Sequence, residues 1–358
     1  MTTSSRPRSD STRKDKTEAH QSDSLIFHHF PKTTPKTNNF LNTTPMPNTV
    51  FYNLNSLSYY YKTNKAQRRH KTVIRNLLAL KNKHNIICLQ ETHLKQYEKL
   101  ALVTQFPDWA IFYSNAPTTK KTSNAGLITL VSPTYLSSYH PHQLDLGPDG
   151  YGHIQIIHFN PINDSACQPF NILNIYLTSG ADFKAKAREL TLATEAATNT
   201  DDLAIVGGDF NFIEHEEDTT GTGCFLDHKT KQVWTTFLSH YKLYEIDQPL
   251  HTYHMISNNE SNLYSSRLDR IYVNYNESDL TLNTPNTHLP AIPYDPLTLH
   301  AIKRDPNNAH LIDYLACPDH HPIAITFHTT NPNNHKKPPS IPKWLPKTKF
   351  FGDSVRCK

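Results

Sequence analysis

The stretch Leu203–Asn211, LAIVGGDFN, constrains this chain more than any other. Its four consecutive apolar residues, bounded by glycines, suit a strand buried on both faces. Gly207 and Gly208 permit a tight turn, which would carry Asp209 and Asn211 to the mouth of a buried sheet. A carboxylate there can hold a hard cation or take a proton from water, and the amide can orient that water. Gly, Asp and Asn are also ordinary turn formers, so the stretch alone leaves a plain strand-to-loop turn equally open.

Composition narrows the class. The 358 residues carry a formal charge of +4, which permits a nucleic-acid partner without demanding one. The five cysteines lie far apart and form no C-x-x-C pair, which argues against a zinc site or disulfide framework and for a reducing compartment. No apolar run approaches the roughly 18 residues that span a membrane, and the N-terminus has no hydrophobic signal core. An intracellular chain with no membrane partner is expected.

Residues 1–48 are rich in Ser, Thr, Asn, Pro and basic side chains, and are expected to be a disordered tail because they cannot offset their ordering entropy. Order should begin at Thr49. Val50–Leu57 alternates like a strand, with Asn53 and Asn55 on one face. Arg68–Leu80 has the spacing of an amphipathic helix. Ile86–Leu89 reads as a second buried strand that delivers Gln90, Glu91, Thr92 and His93. Glu91 there is either a metal ligand or a neighbour of a helix N-terminus.

Gly126–Val131, His153–Phe159 and Phe170–Tyr176 read as strands of one long antiparallel meander, and Ala181–Ala197 as a helix. The acidic run Glu214, Glu216, Glu217 and Asp218 is expected to be a solvated loop. Trp234–His240 reads as a short helix and His251–Met255 as a strand. In Arg267–Val273 the alternation sets Asp269 on the face of Ile271 and Val273. An acid among apolar neighbours is expensive to bury alone, so it asks for a histidine or a cation. Residues 276–313 are Pro- and Asn-rich and read as an insertion rather than core. Asp319 and His320 precede a last strand, Pro322–Phe327, and residues 329–358 form a Lys/Pro-rich linker or tail.

The polar residues thus fall one or two per strand end: Asn53, Asn55, Glu91, Tyr176, Asp209, Asn211, Asp269, Asp319 and His320. Amides and acids with one histidine, and no soft ligand, suit magnesium or manganese and a phosphate ester.

The motifs FYNLNSL, LQETHL, NIY, GGDFN, SRLDRIYV and PDHHPI, in this order over residues 49–328, resemble the endonuclease/exonuclease/phosphatase family of DNase I-like enzymes. The wording of QETHL and SRLDRI looks most like the endonuclease domain of LINE-type non-LTR retrotransposons, and IPKWL resembles the linker before their reverse transcriptase. The resemblance implies an α/β (α+β) fold, a four-layered sandwich of two mostly antiparallel sheets flanked by helices, with the site at one end of the sheets. It implies Mg2+ or Mn2+ held by Glu91, with Asn53 beside it and Asp319 near enough to help. Asp209 would orient or deprotonate water, and Asn211 would hold a phosphate oxygen. His320, oriented by Asp269, would contact the scissile phosphate, and Tyr176 would donate to it. Asn55, Thr252 and Arg267 would contact substrate. Whether Asp209 or His320 is the base stays open.

The function so implied is nicking of target DNA by a nuclear, monomeric enzyme, with a reverse transcriptase domain of the same element as a possible partner. The alternatives are an apurinic-site repair endonuclease or 3′ exonuclease, and a catalytically decayed nucleic-acid-binding copy. Four departures bear on the last of these. Ser56 stands where the family has glycine, so that turn should be strained. Leu177-Thr178 replaces Ala-Pro, Pro318 replaces a small residue, and the stretch from Asp269 to Asp319 is long. None removes a catalytic group, and a decaying site has no reason to keep all of them.

Overall fold

The computed structural model describes residues 46–57, 64–94, 99–115, 125–148, 150–162, 167–196, 202–221, 223–248, 250–256, 263–274, 283–293 and 319–329. The proposed tail falls outside these up to residue 45, as do Pro318 and nearly all of 329–358.

Alternation along the strands builds two sheets. The first has six strands: β1 (Thr49–Asn53), β2 (Ile86–Gln90), β3 (Ala110–Ser114), β4 (Leu127–Val131), β13 (Asn283–His288) and β14 (Ile323–Thr329). They lie in the order β13-β14-β1-β2-β4-β3. The second sheet has β5 (Tyr139–Gln143), β6 (Ile154–Pro161), β7 (Phe170–Tyr176), β8 (Leu203–Asp209), β9 (Leu243–Glu245) and β12 (Asp269–Asn274), in the order β5-β6-β7-β8-β12-β9. A separate hairpin pairs β10 (Tyr253–Ile256) with β11 (Leu263–Ser266). Most neighbours run antiparallel, but β1 and β2 are parallel, as are β7 and β8.

Phe51, Ile86, Cys88 and Val131 of the first sheet meet Ile157, Ile172, Ile205, Ile271 and Val273 of the second in a dry inner layer. The outer face of the first sheet is covered by α1 (Asn64–Lys81) and α2 (Lys99–Gln105) through Val73, Leu77 and Phe106. The outer face of the second is covered by α4 (Phe183–Glu195) and α5 (His228–His240) through Leu190, Trp234 and Phe237. The short α3 (Pro133–Leu136) links β4 to β5. This is the four-layered sandwich that the resemblance implied.

Several readings change. The expected single meander is divided, because β4 belongs to the first sheet while β6 and β7 belong to the second. Gly207 and Gly208 are not a turn but lie inside β8. A Cβ at Gly207 would sit 2.6 Å from the Phe51 ring, and one at Gly208 only 1.9 Å from the Ile175 carbonyl oxygen. The glycines therefore let the two sheets and two parallel strands close on each other. The stretch read as an insertion supplies the edge strand β13, and its Ile292 is buried against the outer core of the first sheet. Pro and Asn are tolerated there because an edge strand needs only one ladder of hydrogen bonds.

Candidate active site

Strand register gathers the polar ends. Across β7, β8 and β12, Tyr176, Asp209 and Asp269 stand side by side. In the first sheet Asn53 pairs in register with Gln90, so the next residue after β2 is Glu91. Asn53 joins the sheets: its Nδ2 donates to Asp209 Oδ2 at 2.8 Å and to Glu91 Oε1 at 3.3 Å. Its Oδ1 accepts the Asn55 backbone N–H at 2.9 Å. Asn53, expected as a cation ligand, thus turns its donors to the carboxylates and acts as their spacer, leaving one carbonyl lone pair. Beneath it Gln90 Nε2 donates to Asn174 Oδ1 at 2.6 Å, part of a buried polar inlay with Thr129 and Gln155. Nothing in the sequence reading marked these, although an Asn between Leu173 and Ile175 is itself a signal.

Asp209 is buried and accepts three bonds: from Asn53, from the Asn211 N–H at 2.8 Å and from Asn211 Nδ2 at 3.1 Å. Asn211 Nδ2 also donates to the Leu177 carbonyl at 2.9 Å, which ties the Tyr176 strand end to the turn. His320 Nδ1 faces Asp269 Oδ2 at 2.8 Å, and its Nε2 points toward Asp209 Oδ2 at 3.9 Å. The histidine that Asp269 asked for is therefore His320. Tyr253, which sequence did not single out, packs its ring 5.0 Å from the His320 ring. Asn55 Nδ2 holds Asp319 at 3.1 Å. Thr252 Oγ1 accepts the Asp269 N–H at 3.1 Å and is fully buried, so it positions Asp269 and is not exposed to substrate.

Arg267 lies elsewhere. It is bound by Asp218 Oδ1 at 2.7 Å and Glu245 Oε1 at 2.8 Å, and the buried Arg270 bonds Asp218 Oδ2 at 2.8 Å. The expected substrate contact is thus an ion-pair network under the hairpin, and the solvated acidic run delivers a buried Asp218 to it. Two neighbouring arginines demand a carboxylate that alternation alone does not place.

Backbone strain collects at this end. Asn55 (φ 44°), Ser56 (φ 98°), Glu91 (φ 49°), His93 (φ 51°) and Asn211 (φ 52°) all lie in the left-handed region. The Ser56 turn is clamped by its N–H to the Glu91 carbonyl at 2.7 Å and the Leu57 N–H to the Thr92 carbonyl at 2.8 Å. From α1, Arg69 Nη2 adds a bond to the Leu54 carbonyl at 3.2 Å.

Burial pushes the Asp209 carboxyl up, against the charge of His320. For His320, burial works toward the neutral form but is outweighed by Asp269, so its pKa rises to about 10. Burial, then the Glu91 and Asp209 carboxylates, keep the Tyr176 hydroxyl protonated as a donor. Among the described residues, Asp209, Asp269 and His320 bring ligand atoms within 4.8 Å of one another, but their lone pairs and protons already serve each other and the asparagines. Glu91 differs: among the described residues no Lys or Arg pairs with it, while Asp209 lies beyond the shared Asn53 amide. This surplus of oxygen-based negative charge fits a hard divalent cation.

Two mixed six-stranded sheets between helices, with acids, amides and one histidine at one end, define a DNase I-like sandwich. The chain belongs to the endonuclease/exonuclease/phosphatase family, which it matches over residues 50–282. The family takes in endonucleases, exonucleases and phosphatases. No curated protein matches the chain by sequence. Among solved structures, the AP endonuclease LMAP from Leishmania major is similar at 14% identity and TM-score 0.55, over 81% of this chain and 89% of that one. A variant of the 3′ phosphatase NExo from Neisseria, bound to product DNA hairpin, is similar at 17% identity and TM-score 0.50, over 79% and 100%. The endonuclease domain of TRAS1, a telomere-specific non-LTR retrotransposon, matches at 13% identity and TM-score 0.48, over 79% and 99%. These are likenesses of fold.

Proposed function

We propose that the protein is a magnesium- or manganese-dependent DNA endonuclease that nicks target duplex in the manner of a LINE-type retrotransposon endonuclease. The observation that carries the chemistry is the row Tyr176, Asp209, Asp269 with His320 bonded to Asp269. In support of this reading, the row offers the scissile phosphate a buried base, a cationic histidine and a neutral donor. Asp209, raised in pKa by burial, suits the base near neutral pH, while His320 holds its proton and meets a phosphate oxygen as a cation.

In this reading a water oriented by Asp209 and Asn211 attacks phosphorus in line and gives its proton to an Asp209 oxygen. The P–O3′ bond breaks and the leaving oxygen takes a proton from solvent, which gives a 5′ phosphate and a 3′ hydroxyl. Tyr176 and His320 stabilise the added charge on the non-bridging oxygens, while both Asn211 Nδ2 protons stay with Asp209 and the Leu177 carbonyl. A divalent cation held by Glu91 and Asp319 would neutralise charge on the phosphate and the leaving oxygen. Asn53 keeps Glu91 and Asp209 at fixed separation, and Thr252 with Asp269 orients the His320 ring and stabilises its charge. Action on nuclear DNA, beside a reverse transcriptase of the same element, belongs to the same reading and rests on the QETHL and SRLDRI wording.

The test is nicking of supercoiled plasmid by the purified chain. Relaxation that needs Mg2+ or Mn2+, stops with EDTA and leaves ends that a polymerase extends without further treatment is expected. Undiminished nicking in EDTA would overturn the cation assignment.

A further inference from the structure

Beside Glu91 lies a side chain that the mechanism above does not use. We propose that His93 is a nitrogen ligand to the divalent cation at Glu91, an inference that rests on the cation reading just given. Its Nε2 is shielded from solvent, has no hydrogen-bond partner among the described residues, and lies 3.9 Å from Glu91 Oε2. A buried ring nitrogen left unpaired is costly unless something absent from the bare chain meets it.

The separation identifies what could. It is too long for a direct hydrogen bond. A bridging water, with two bonds of about 2.8 Å near the tetrahedral angle, would hold its partners roughly 4.6 Å apart. A cation with bonds of about 2.1 Å holds two ligands roughly 3.0 Å apart when adjacent and up to about 4.2 Å when opposite. The observed 3.9 Å lies between the adjacent and opposite limits, so a small side-chain rotation brings both atoms onto one cation.

The backbone is built to hold this arrangement. Glu91 and His93 are both left-handed, at φ 49° and 51°, and the residue between them is fixed from two sides. Thr92 N–H donates to the Gly126 carbonyl at 3.0 Å, and its own carbonyl accepts from Leu57 N–H at 2.8 Å. Gly126 is what permits the approach, since a Cβ there would lie 2.8 Å from Thr92 Oγ1. Strain at two residues flanking one anchored threonine is the mark of side chains aimed at a shared task.

The chemical consequence concerns metal choice. Magnesium takes oxygen ligands and keeps its waters, whereas a first-row transition ion accepts imidazole readily. An oxygen site with one imidazole therefore favours manganese over magnesium.

The experiment uses the full chain with Mn2+ alone and pulsed EPR, which detects a directly bound 14N independently of turnover. A nitrogen coupling is expected in the wild type and its loss in His93→Asn, with the Mn2+ dissociation constant rising about tenfold and that for Mg2+ moving much less. Asn tolerates the left-handed backbone, so this variant should fold. Wild-type protein labelled with 15N-histidine gives the same reading without substitution, because the 14N pattern should become a 15N doublet. Mn2+ bound without nitrogen coupling, or a coupling that survives in His93→Asn, overturns the His93 assignment and leaves the cation reading intact. Failure of the wild type to bind Mn2+ at all overturns both.

Discussion

Asp269 and His320 lie 51 residues apart, one opening β12 and the other three residues ahead of β14 in the facing sheet, yet the carboxylate meets the imidazole Nδ1 at 2.8 Å. The bond is possible because β12 begins at Asp269 opposite Asp209, while β14 lies beside β1 in the facing sheet. One contact thus pairs a buried acid, holds the imidazole protonated and leaves Nε2 on the side of Asp209.

Replacing Asp269 by Asn keeps the shape and removes the charge. An amide Nδ2 can donate to the ring, which stabilises the wrong tautomer. Single-turnover nicking should fall on the order of 10^3- to 10^4-fold, the scale of the equivalent change in an acid–histidine pair, with near-native circular dichroism. A loss under tenfold would remove Asp269 from the catalytic unit.

The same pair predicts how stability responds to pH. The folded pKa of His320, raised to about 10, lies above the unfolded value near 6.5. A group raised on folding contributes fully below the unfolded pKa, and that contribution is lost as pH rises through the folded one. Measured against His320→Gln, the wild-type denaturant midpoint should therefore hold its advantage up to about pH 6.5 and lose it toward pH 10. Asp218 works in the opposite sense. Burial opposes its ionised form, but Arg270 and two backbone N–H groups hold its carboxyl near 2, so its contribution appears above about 4 and fades as pH falls through 2.

Asp218 also carries the clearest structural prediction. Its two oxygens serve Arg267 and the fully buried Arg270. Asp218→Asn should cost about 3 kcal/mol, the lower end for a broken buried pair, because Glu245 alone then faces both guanidinium groups. Arg267→Ala should likewise lower the thermal midpoint. If it instead weakened DNA binding with unchanged stability, the substrate role read from the sequence would be restored.

What the sequence made legible follows from alternation and motif order. Strands such as Ile86–Gln90 and Phe170–Tyr176 announce themselves by apolar content, and each carries its polar residue at the end where the site forms. The Asp269 partner was legible as a need and not as a position. Arg267 misleads because a strand-start arginine looks the same whether it faces DNA or a buried acid 49 residues upstream. The β8 glycines mislead for a related reason. Two glycines suggest a turn locally, and only the Phe51 ring and the Ile175 carbonyl, both distant in sequence, explain them as close-approach sites. Edge strands such as β13 carry too few apolar residues to be seen.

Ser56 offers a test of strain. At φ 98° it occupies a conformation that glycine adopts freely. Ser56→Gly should raise stability by about 1 kcal/mol, the lower end of the strain at such a position, with little change in nicking. A destabilised variant would mean that the Ser56 side chain contributes more than its backbone strain removes.

The last prediction concerns which DNA is cut. The β10–β11 hairpin stands over the site on polar seams: Thr220 N–H to the Ser265 carbonyl at 2.9 Å, Thr252 N–H to the Ser266 carbonyl at 3.0 Å, and His251 Nδ1 against Ser265 Oγ at 2.8 Å. Its loop residues Ser257, Asn258 and Asn259 lie outside the described residues. Among the described side chains of its strands, Met255 and Tyr264 are the exposed apolar ones, and Tyr264 leans on Gly221, where a Cβ would come within 2.5 Å of the ring. A repair enzyme needs bulk to occupy the gap left by a missing base and to hold the extruded sugar. With the Tyr253 ring taken up by His320, a hairpin that offers the Tyr264 ring suits the minor groove of intact duplex, where width and step flexibility are read. Nicks are therefore expected at preferred flexible steps of intact duplex, with an abasic site cut no more than about tenfold faster, a difference of about 1.4 kcal/mol. Tyr264→Ala should redistribute the nicks along the duplex more than it lowers their total. The measurement is a pair of end-labelled duplexes that differ by one abasic position, cut with equal enzyme. Cleavage roughly a hundredfold faster at the abasic site, about 2.7 kcal/mol of barrier, would transfer the protein to the repair class.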